Sequence, residues 1–208
     1  MLASSMDAPR SPVRLPDDLG RRLDPIHGDL EAPAPLRFAA VVSLLLPDGD
    51  GGERLLLIER SRKLRSHAGQ LAFPGGKPES SDRDLLDTAL REANEEVGLP
   101  RGSVSILGRL DPVPTPTGFM IVPFVGRVER PFDPVRQDTE VHRILTPSLA
   151  ELTRPEIHRV TSVRHWKGVD YPLHQWDIGD PPLWGATARM VWDLLDRAGL
   201  SWDWTPEA

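Results

Sequence analysis

Two stretches, residues 38–46 and 54–59, are almost continuously apolar and of strand length, separated by the glycine-rich PDGDGGE connector typical of a hairpin. Runs of this kind predict strands buried on both faces. Residues 60–70 are polar and basic, hence a loop, and 71–73 predict a short strand. The spacing then becomes helical. Leu86, Ala89, Leu90, Ala93 and Val97 fall on one stripe roughly 100° wide, the width a helix needs to dock on a core. Asp82 is the expected N-cap, Gly98 suits the left-handed C′ position, and Leu85 lies off the stripe, so the first regular turn is expected after it.

Further strands are predicted over 103–110 and 118–128. The segment between them, DPVPTPT, is stiff and extended, and reads either as a substrate wall or as a plain rigid crossover. Residues 140–145 predict another strand, and 147–152 a short helix closed by Pro155. Weaker strands are expected at 165–166 and 171–178, around Lys167 and Gly168. A second amphipathic helix spans 184–198, burying Met190, Val191, Leu194, Leu195 and Ala198, with Gly199 as its stop. Helices on both sides of a mixed sheet give an α/β fold, an α/β/α sandwich.

Prolines at 9, 12, 16, 25, 33 and 35 forbid a long helix or central strand in residues 1–36. Only Leu15, Leu19 and Leu23 suggest a short amphipathic helix, opening with Pro16 in its first turn. This proline-rich arm reads as irregular and mobile, or as wrapping the domain or meeting a second subunit. The domain itself is expected over 37–200, with 201–208 as a tail.

Composition narrows the function. A chain of 208 residues with 39% hydrophobic residues supports one substantial core. A net charge of −6 argues against broad binding to nucleic acid or membrane surfaces, yet leaves polyanionic small molecules open. The absence of cysteine excludes disulfides, zinc-thiolate sites and thiol nucleophiles, and suits a reducing cytoplasm. No signal-peptide order, bilayer-length apolar run or peroxisomal C-terminal address is present, so a cytoplasmic location is expected.

The candidate chemistry lies on the polar side of the first helix. Glu92, Glu95 and Glu96 stand at i,i+3 and i,i+4, where like charges destabilise a helix. They are read as exposed carboxylates. Arg91 pairs with Glu95 at i,i+4, but one arginine leaves the patch negative, and a hard divalent cation is the usual resident of such a site. A lone Glu-x-x-Glu-Glu is mostly a solvated helix face. The whole Arg-Glu-x-x-Glu-Glu-x-Gly arises by chance about once in several thousand chains of this length. Gly75 and Gly76, just upstream, let backbone N–H groups approach a metal or phosphate closely.

Residues 73–99, FPGGKPESSDRDLLDTALREANEEVGL, resemble the Nudix box, G-x5-E-x7-R-E-U-x-E-E-x-G-U with U aliphatic. Gly76, Arg91, Glu92, Ala93, Glu95, Glu96, Gly98 and Leu99 fill it. Asp82 stands where Glu is usual, and eight residues rather than seven separate it from Arg91. Upstream, LLIERSRKLRSHAGQLAFPGG is similar to the LLxxRSxxLRxHxGQxxFPGG signature of the coenzyme A pyrophosphatase branch, matching at Arg60, Ser61, Leu64, Arg65, His67, Gly69, Gln70 and 73–76. Trp184-Gly-Ala-Thr-Ala188 also resembles a late segment of that branch, so the likeness covers roughly residues 38–199.

The resemblance implies the Nudix fold and hydrolysis of the diphosphate linkage of coenzyme A to 3′-phosphoadenosine 5′-phosphate and 4′-phosphopantetheine, with Mg²⁺ or Mn²⁺ as cofactor. It implies metal ligation by Glu92, Glu95, Glu96 and the Gly76 carbonyl, with Arg91 orienting the cluster. Glu140 is the candidate for the loop glutamate that several Nudix hydrolases add, and either it or Glu92 takes the proton from water. Arg60, Lys63 and Arg65, with Arg62 beside them, form a basic patch suited to the substrate's phosphates. His67 and Gln70 either contact substrate or brace their loop. The alternatives are a Nudix hydrolase of another nucleoside diphosphate derivative, such as ADP-ribose, and a sensor without catalysis. The intact glutamate trio argues against the sensor.

Overall fold

The structure, a computed structural model, describes residues 11–64, 67–130, 132–137, 139–166 and 169–203. Its strands and helices are β1 (Arg37–Pro47), β2 (Glu53–Leu55), β3 (Leu57–Arg60), β4 (Leu71–Ala72), β5 (Gly75–Gly76), α1 (Leu85–Val97), β6 (Val104–Arg109), β7 (Val113–Pro114), β8 (Phe119–Val128), β9 (Val141–Leu145), α2 (Leu149–Leu152), β10 (His158–Trp166), β11 (Val169–Trp176), β12 (Leu183–Trp184) and α3 (Gly185–Arg197).

β1 is central because it has apolar side chains for both faces. Its even-numbered Ala40, Val42 and Leu44 join Ala89, Ala93 and Val97 of α1 in one core cluster. Val41 and Leu45 point the other way, into a cluster with Met190, Val191, Leu194 and Leu195 of α3. The main sheet runs β2-β1-β8-β6, with β5 on β1 and β7 on β8. It is mixed: β1 and β8 are parallel from Arg37↔Phe119 to Leu45↔Arg127, and β2, β5, β6 and β7 add antiparallel pairs. Two smaller sheets, β4-β3-β9 and β10-β11-β12, complete the layers, so α1 and α3 flank a mixed sheet as the alternation requires.

Several local expectations are corrected. The apolar run 54–59 is two strands. Leu55 and Leu57 face the α3 side while Leu56 and Ile58 face α1, so the alternation is unbroken, but the chain leaves β1 and pairs with β9 instead. The DPVPTPT connector folds back as an antiparallel hairpin, β7 on β8, closed by Thr115 N–H to the Phe119 carbonyl at 2.8 Å. Pro114 is tolerated there because this short strand lies at an edge. Pro155 opens a 3₁₀ turn, Pro155–Ile157, rather than closing a helix. The late strands are longer than expected, since 158–164 also pair.

The N-terminal arm is docked from about residue 13. Leu15, Leu19 and Leu23 are 1%, 0% and 9% exposed and belong to the α3-side cluster, although the helical turn between them is only the 3₁₀ segment Leu19–Arg21. Each buried leucine contributes about 1.5–3 kcal/mol before ordering costs, which offsets the entropy of a proline-stiffened arm. A polar clasp adds to this. Buried Glu53 accepts from Leu15 N–H at 2.8 Å and Arg127 Nε at 2.7 Å, while Arg127 Nη2 donates to the Leu15 carbonyl at 3.0 Å. At the other end of the chain, Trp202 packs edge-on against Trp192 and His158. Among the described residues no helix is long and apolar enough to cross a membrane.

Candidate functional site

α1 begins at Leu85, one residue before its apolar stripe, and Asp84 rather than Asp82 is the N-cap: its side chain accepts from Asp87 N–H at 2.8 Å. The helix ends at Gly98, with φ 71°. Its last carbonyls do not face water alone. Those of Glu96 and Val97 accept from Gln137 and Val135 N–H at 3.1 and 3.0 Å, which draws residues 132–137 across the helix end. Ser61 N–H then donates to the Glu140 carbonyl at 2.7 Å. These bonds bring Glu140 close enough to both Glu92 and Glu96 to raise their pKa values.

Asp82, freed from capping, holds Arg91. Its carboxylate takes Arg91 Nε at 2.9 Å and Nη2 at 3.1 Å, a bidentate pair, and also accepts from Thr88 Oγ1 and Glu79 N–H. The Arg91 guanidinium holds the Asp82 carboxyl well below the usual carboxylate range. Arg91 also donates to Glu95 at 3.0 Å, to Glu92 at 3.2 Å and to the Lys77 carbonyl at 3.1 Å, linking helix to glycine loop.

The three helix glutamates therefore differ. Glu95 is 57% exposed at the side chain and turned to Arg91. Glu92 is half-buried against the loop: a Cβ on Gly76 would lie 2.3 Å from its Oε1, so only glycine leaves room for it. Glu96, read from sequence as exposed, is 3% exposed. It sits behind Gly75, whose N–H donates to Oε2 at 2.9 Å, and Gly75 itself has φ 152° and could not carry a side chain against the Ala40 carbonyl. Burial pushes the Glu96 carboxyl up to about 8, and the nearby Glu92 and Glu140 add to the effect. Glu92 is raised for the same first reason.

Among the described residues, Glu96 Oε1 has no hydrogen-bond partner. Arg60 Nη1 is 4.0 Å away, and Arg60 Nε is itself buried without a partner. A β-bulge between Glu59 and Arg60, opposite β9, aims this arginine at the acid cluster. Arg62 turns elsewhere: with Arg143 it pairs to the buried carboxylate of Glu59. His67 and Gln70 bond to each other, Nδ1 to Oε1 at 2.8 Å, so they brace the loop. Lys63 is exposed, and Arg65 lies outside the described residues.

Among the described residues no three His, Asp or Glu side chains converge as a ready metal cage. The surroundings nevertheless fit a hard cation. Oε1 of Glu96 is an orphaned buried oxygen, Glu92 and Glu140 both raise the pKa of Glu96, and the donors are all carboxylate oxygens. Glu95 would join only by leaving Arg91. Sequence reasoning took Asp82 for the cap, not for the partner of Arg91, and overlooked Lys77; the readable signals were the acid beside the cap and the position directly after the glycine pair.

Comparison with known proteins gives the NUDIX domain as matching residues 36–171. "Nudix hydrolase 15, mitochondrial" of Arabidopsis thaliana is 33% identical over 188 residues, 88% of this chain and 64% of that protein; the chain thus spans less than two thirds of that relative. "Uncharacterized Nudix hydrolase NudL" of Yersinia enterocolitica is 36% identical over 146 residues, 70% of this chain and 74% of that protein. A MutT/nudix family protein from Enterococcus faecalis superposes with TM-score 0.50 at 18% identity, over 83% of this chain and 65% of that one, which bears on the fold alone.

Proposed function

The chain belongs to the Nudix hydrolase family, and from that premise we propose that it splits the diphosphate linkage of coenzyme A, or a derivative of it, with Mg²⁺ or Mn²⁺. The observation that carries the reaction class is the buried, unpartnered oxygen of Glu96 behind a glycine loop, in a carboxylate cluster with too little positive charge. Support for coenzyme A is the match of 56–76 to that branch's signature.

Glu92 and Glu96 would hold the cation, with Glu95 and the Gly76 carbonyl as further ligands. A cation bound there neutralises phosphate oxygens and acidifies a water. Glu140, exposed at the cluster's margin, would accept that water's proton, a reading supported by the bond that ties Glu92 to Arg91. Arg60, 4.0 Å from Glu96, would balance charge on the diphosphate. Gly75 and Gly76 let the ligand approach the backbone, and Asp82 keeps Arg91 in place while Arg91 bridges Glu92 and Glu95. We assign the protein to a reducing compartment such as the cytoplasm, because it has no cysteine; mitochondrial placement belongs to the Arabidopsis relative's name.

The test is incubation of the full chain with Mg²⁺ or Mn²⁺ and coenzyme A, an acyl-coenzyme A, ADP-ribose and a dinucleoside polyphosphate, with products followed by mass. Release of 4′-phosphopantetheine as the dominant reaction is expected. Preference for ADP-ribose would overturn the substrate, and absence of turnover with metal bound would overturn catalysis.

A further inference from the structure

One feature beside the site is unused by the reaction as described. Phe119 opens β8 directly after the β7–β8 hairpin, and two cations lie over its ring: Arg37 Cζ at 4.9 Å and Lys77 Nζ at 5.4 Å from the centroid. Both cationic side chains are exposed, and neither forms an ion pair or side-chain hydrogen bond among the described residues. Arg21, Lys63, Arg130 and Arg164 likewise have no ion pair among the described residues, but none of them is gathered with a second cation on a ring beside the glycine loop. Arg14, Arg54, Arg83, Arg91, Arg127 and Arg197 are each within ion-pair distance of a carboxylate, and the net charge is −6.

The backbone fixes where this pair stands. Arg37 and Phe119 are register partners in the parallel β1–β8 ladder, and Gly76 pairs with Ala40 on β1. Arg37 thus lies three residues before the glycine loop's anchor, roughly 10 Å along an extended strand. Lys77 spans the gap, because its carbonyl accepts from Arg91 while its ammonium reaches Phe119. The hairpin holds the ring: Thr115 Oγ1 accepts from Phe119 N–H at 3.1 Å and donates to its carbonyl at 3.2 Å.

Two like charges gathered on one ring, no more than about 10 Å apart, repel weakly in water, and the ring face offsets that repulsion. What the arrangement lacks is an anion. We infer that Arg37, Lys77 and Phe119 form a second anion subsite, which receives a phosphate monoester carried on the nucleoside part of the substrate while the diphosphate lies at Glu92 and Glu96. A phosphate on the ribose stands one sugar ring from the diphosphate, a separation of the same order as that between this lip and the glycine loop. A dianion engages both cations at once, which a diphosphate ester lacking it cannot do. The inference deepens the coenzyme A reading and rests on it for the class of ligand.

Calorimetric titration of the full chain with adenosine 3′,5′-bisphosphate and with AMP, in EDTA, reads the subsite without turnover. The wild-type chain is expected to bind the bisphosphate about three- to tenfold more tightly. Arg37→Gln with Lys77→Gln should bring that ratio close to one, and Arg37→Lys with Lys77→Arg should retain it. Melting temperatures of the variants show that each is folded before it is compared. Equal binding of both nucleotides by the wild-type chain overturns the subsite, as does a ratio that survives the double glutamine change. If instead the ratio behaves as expected but coenzyme A is not hydrolysed, the lip stands and the coenzyme A assignment falls.

Discussion

Replacing Glu96 by glutamine tests the site through its stability, independently of any substrate. The side chain is 3% exposed, and its carboxyl is raised from 4.5 to about 8, chiefly by burial. Below about pH 4.5 both folded and unfolded chains hold the proton, and the group contributes nothing to the difference. Between there and about pH 8 the unfolded chain ionises while the folded one stays protonated, so stability falls as pH rises. At 1.36 kcal/mol per unit the loss reaches about 3 kcal/mol near pH 7. Glutamine keeps the size, still accepts from Gly75 N–H and cannot ionise. Metal-free Glu96→Gln should therefore be more stable than wild type near neutrality, by on the order of 6–12 °C in Tm for a chain of this size, with the gap closing toward about pH 5. Mn²⁺ should raise the wild-type Tm and leave the variant's unchanged, because a ligand that binds only the folded state stabilises it. Activity should be lost in the variant. Near-UV circular dichroism melts in EDTA and in Mn²⁺, across that pH range, decide the matter. Parallel dependence of Tm on pH for the two proteins would refute the burial argument, and an equal Mn²⁺ response would remove Glu96 from the metal site.

Three other outcomes are expected. Asp82→Asn should destabilise the fold by about 2 kcal/mol and lower kcat, because a partly covered Arg91 loses its bidentate partner; the wild-type contribution disappears as pH falls through the depressed carboxyl, so urea melts at neutral and acid pH should converge for the two proteins. Gly76→Ala should displace Glu92, whose Oε1 would lie 2.3 Å from the new methyl, and cut Mn²⁺ affinity measured by calorimetry at least tenfold while the fold persists. Glu53→Gln should loosen the N-terminal arm, seen as faster proteolysis before residue 25 and a loss of about 2–3 kcal/mol, with KM for coenzyme A unchanged.

The sequence disclosed most of what depends on local periodicity. The near-continuous apolarity of 38–46 implied a strand buried on both faces, and the structure divides Ala40, Val42 and Leu44 from Val41 and Leu45 accordingly. The stripe of α1 and its stop at Gly98 were equally legible. What stayed hidden depends on contacts distant in sequence. The division of 54–59 at Leu56 leaves its alternation untouched, so only the change of pairing partner reveals it. Asp82 and Asp84 are both competent caps, and the choice between them is made by Arg91, nine residues beyond Asp82, which claims the first acid. The burial of Glu96 was missed because helical phase puts it beside the apolar stripe, while the strand carrying Gly75 covers it from the far side. The three leucines of the arm did carry a signal; prolines around them outweighed it in the reading.

The extra residue between Asp82 and Arg91 has a physical consequence for the metal site. Asp82 takes one edge of the guanidinium through Nε and Nη2, while Glu95 and the Lys77 carbonyl take further N–H groups, so Arg91 is nearly saturated by groups outside the Glu92–Glu96 pair. Only one 3.2 Å bond reaches Glu92, and none reaches Glu96. The opposing cation, Arg60, stands at 4.0 Å from Glu96 with its Nε unpartnered. Charge in this corner is therefore deficient on the positive side, and the deficiency is concentrated on the two carboxylates that burial already disfavours in ionised form. An arginine freed from Asp82 would swing toward Glu92 and compete with a cation for it. Restraining Arg91 through the loop thus keeps the acidic pair available, and the first functional effect of losing Asp82 should be weaker metal binding, seen before any change in substrate affinity.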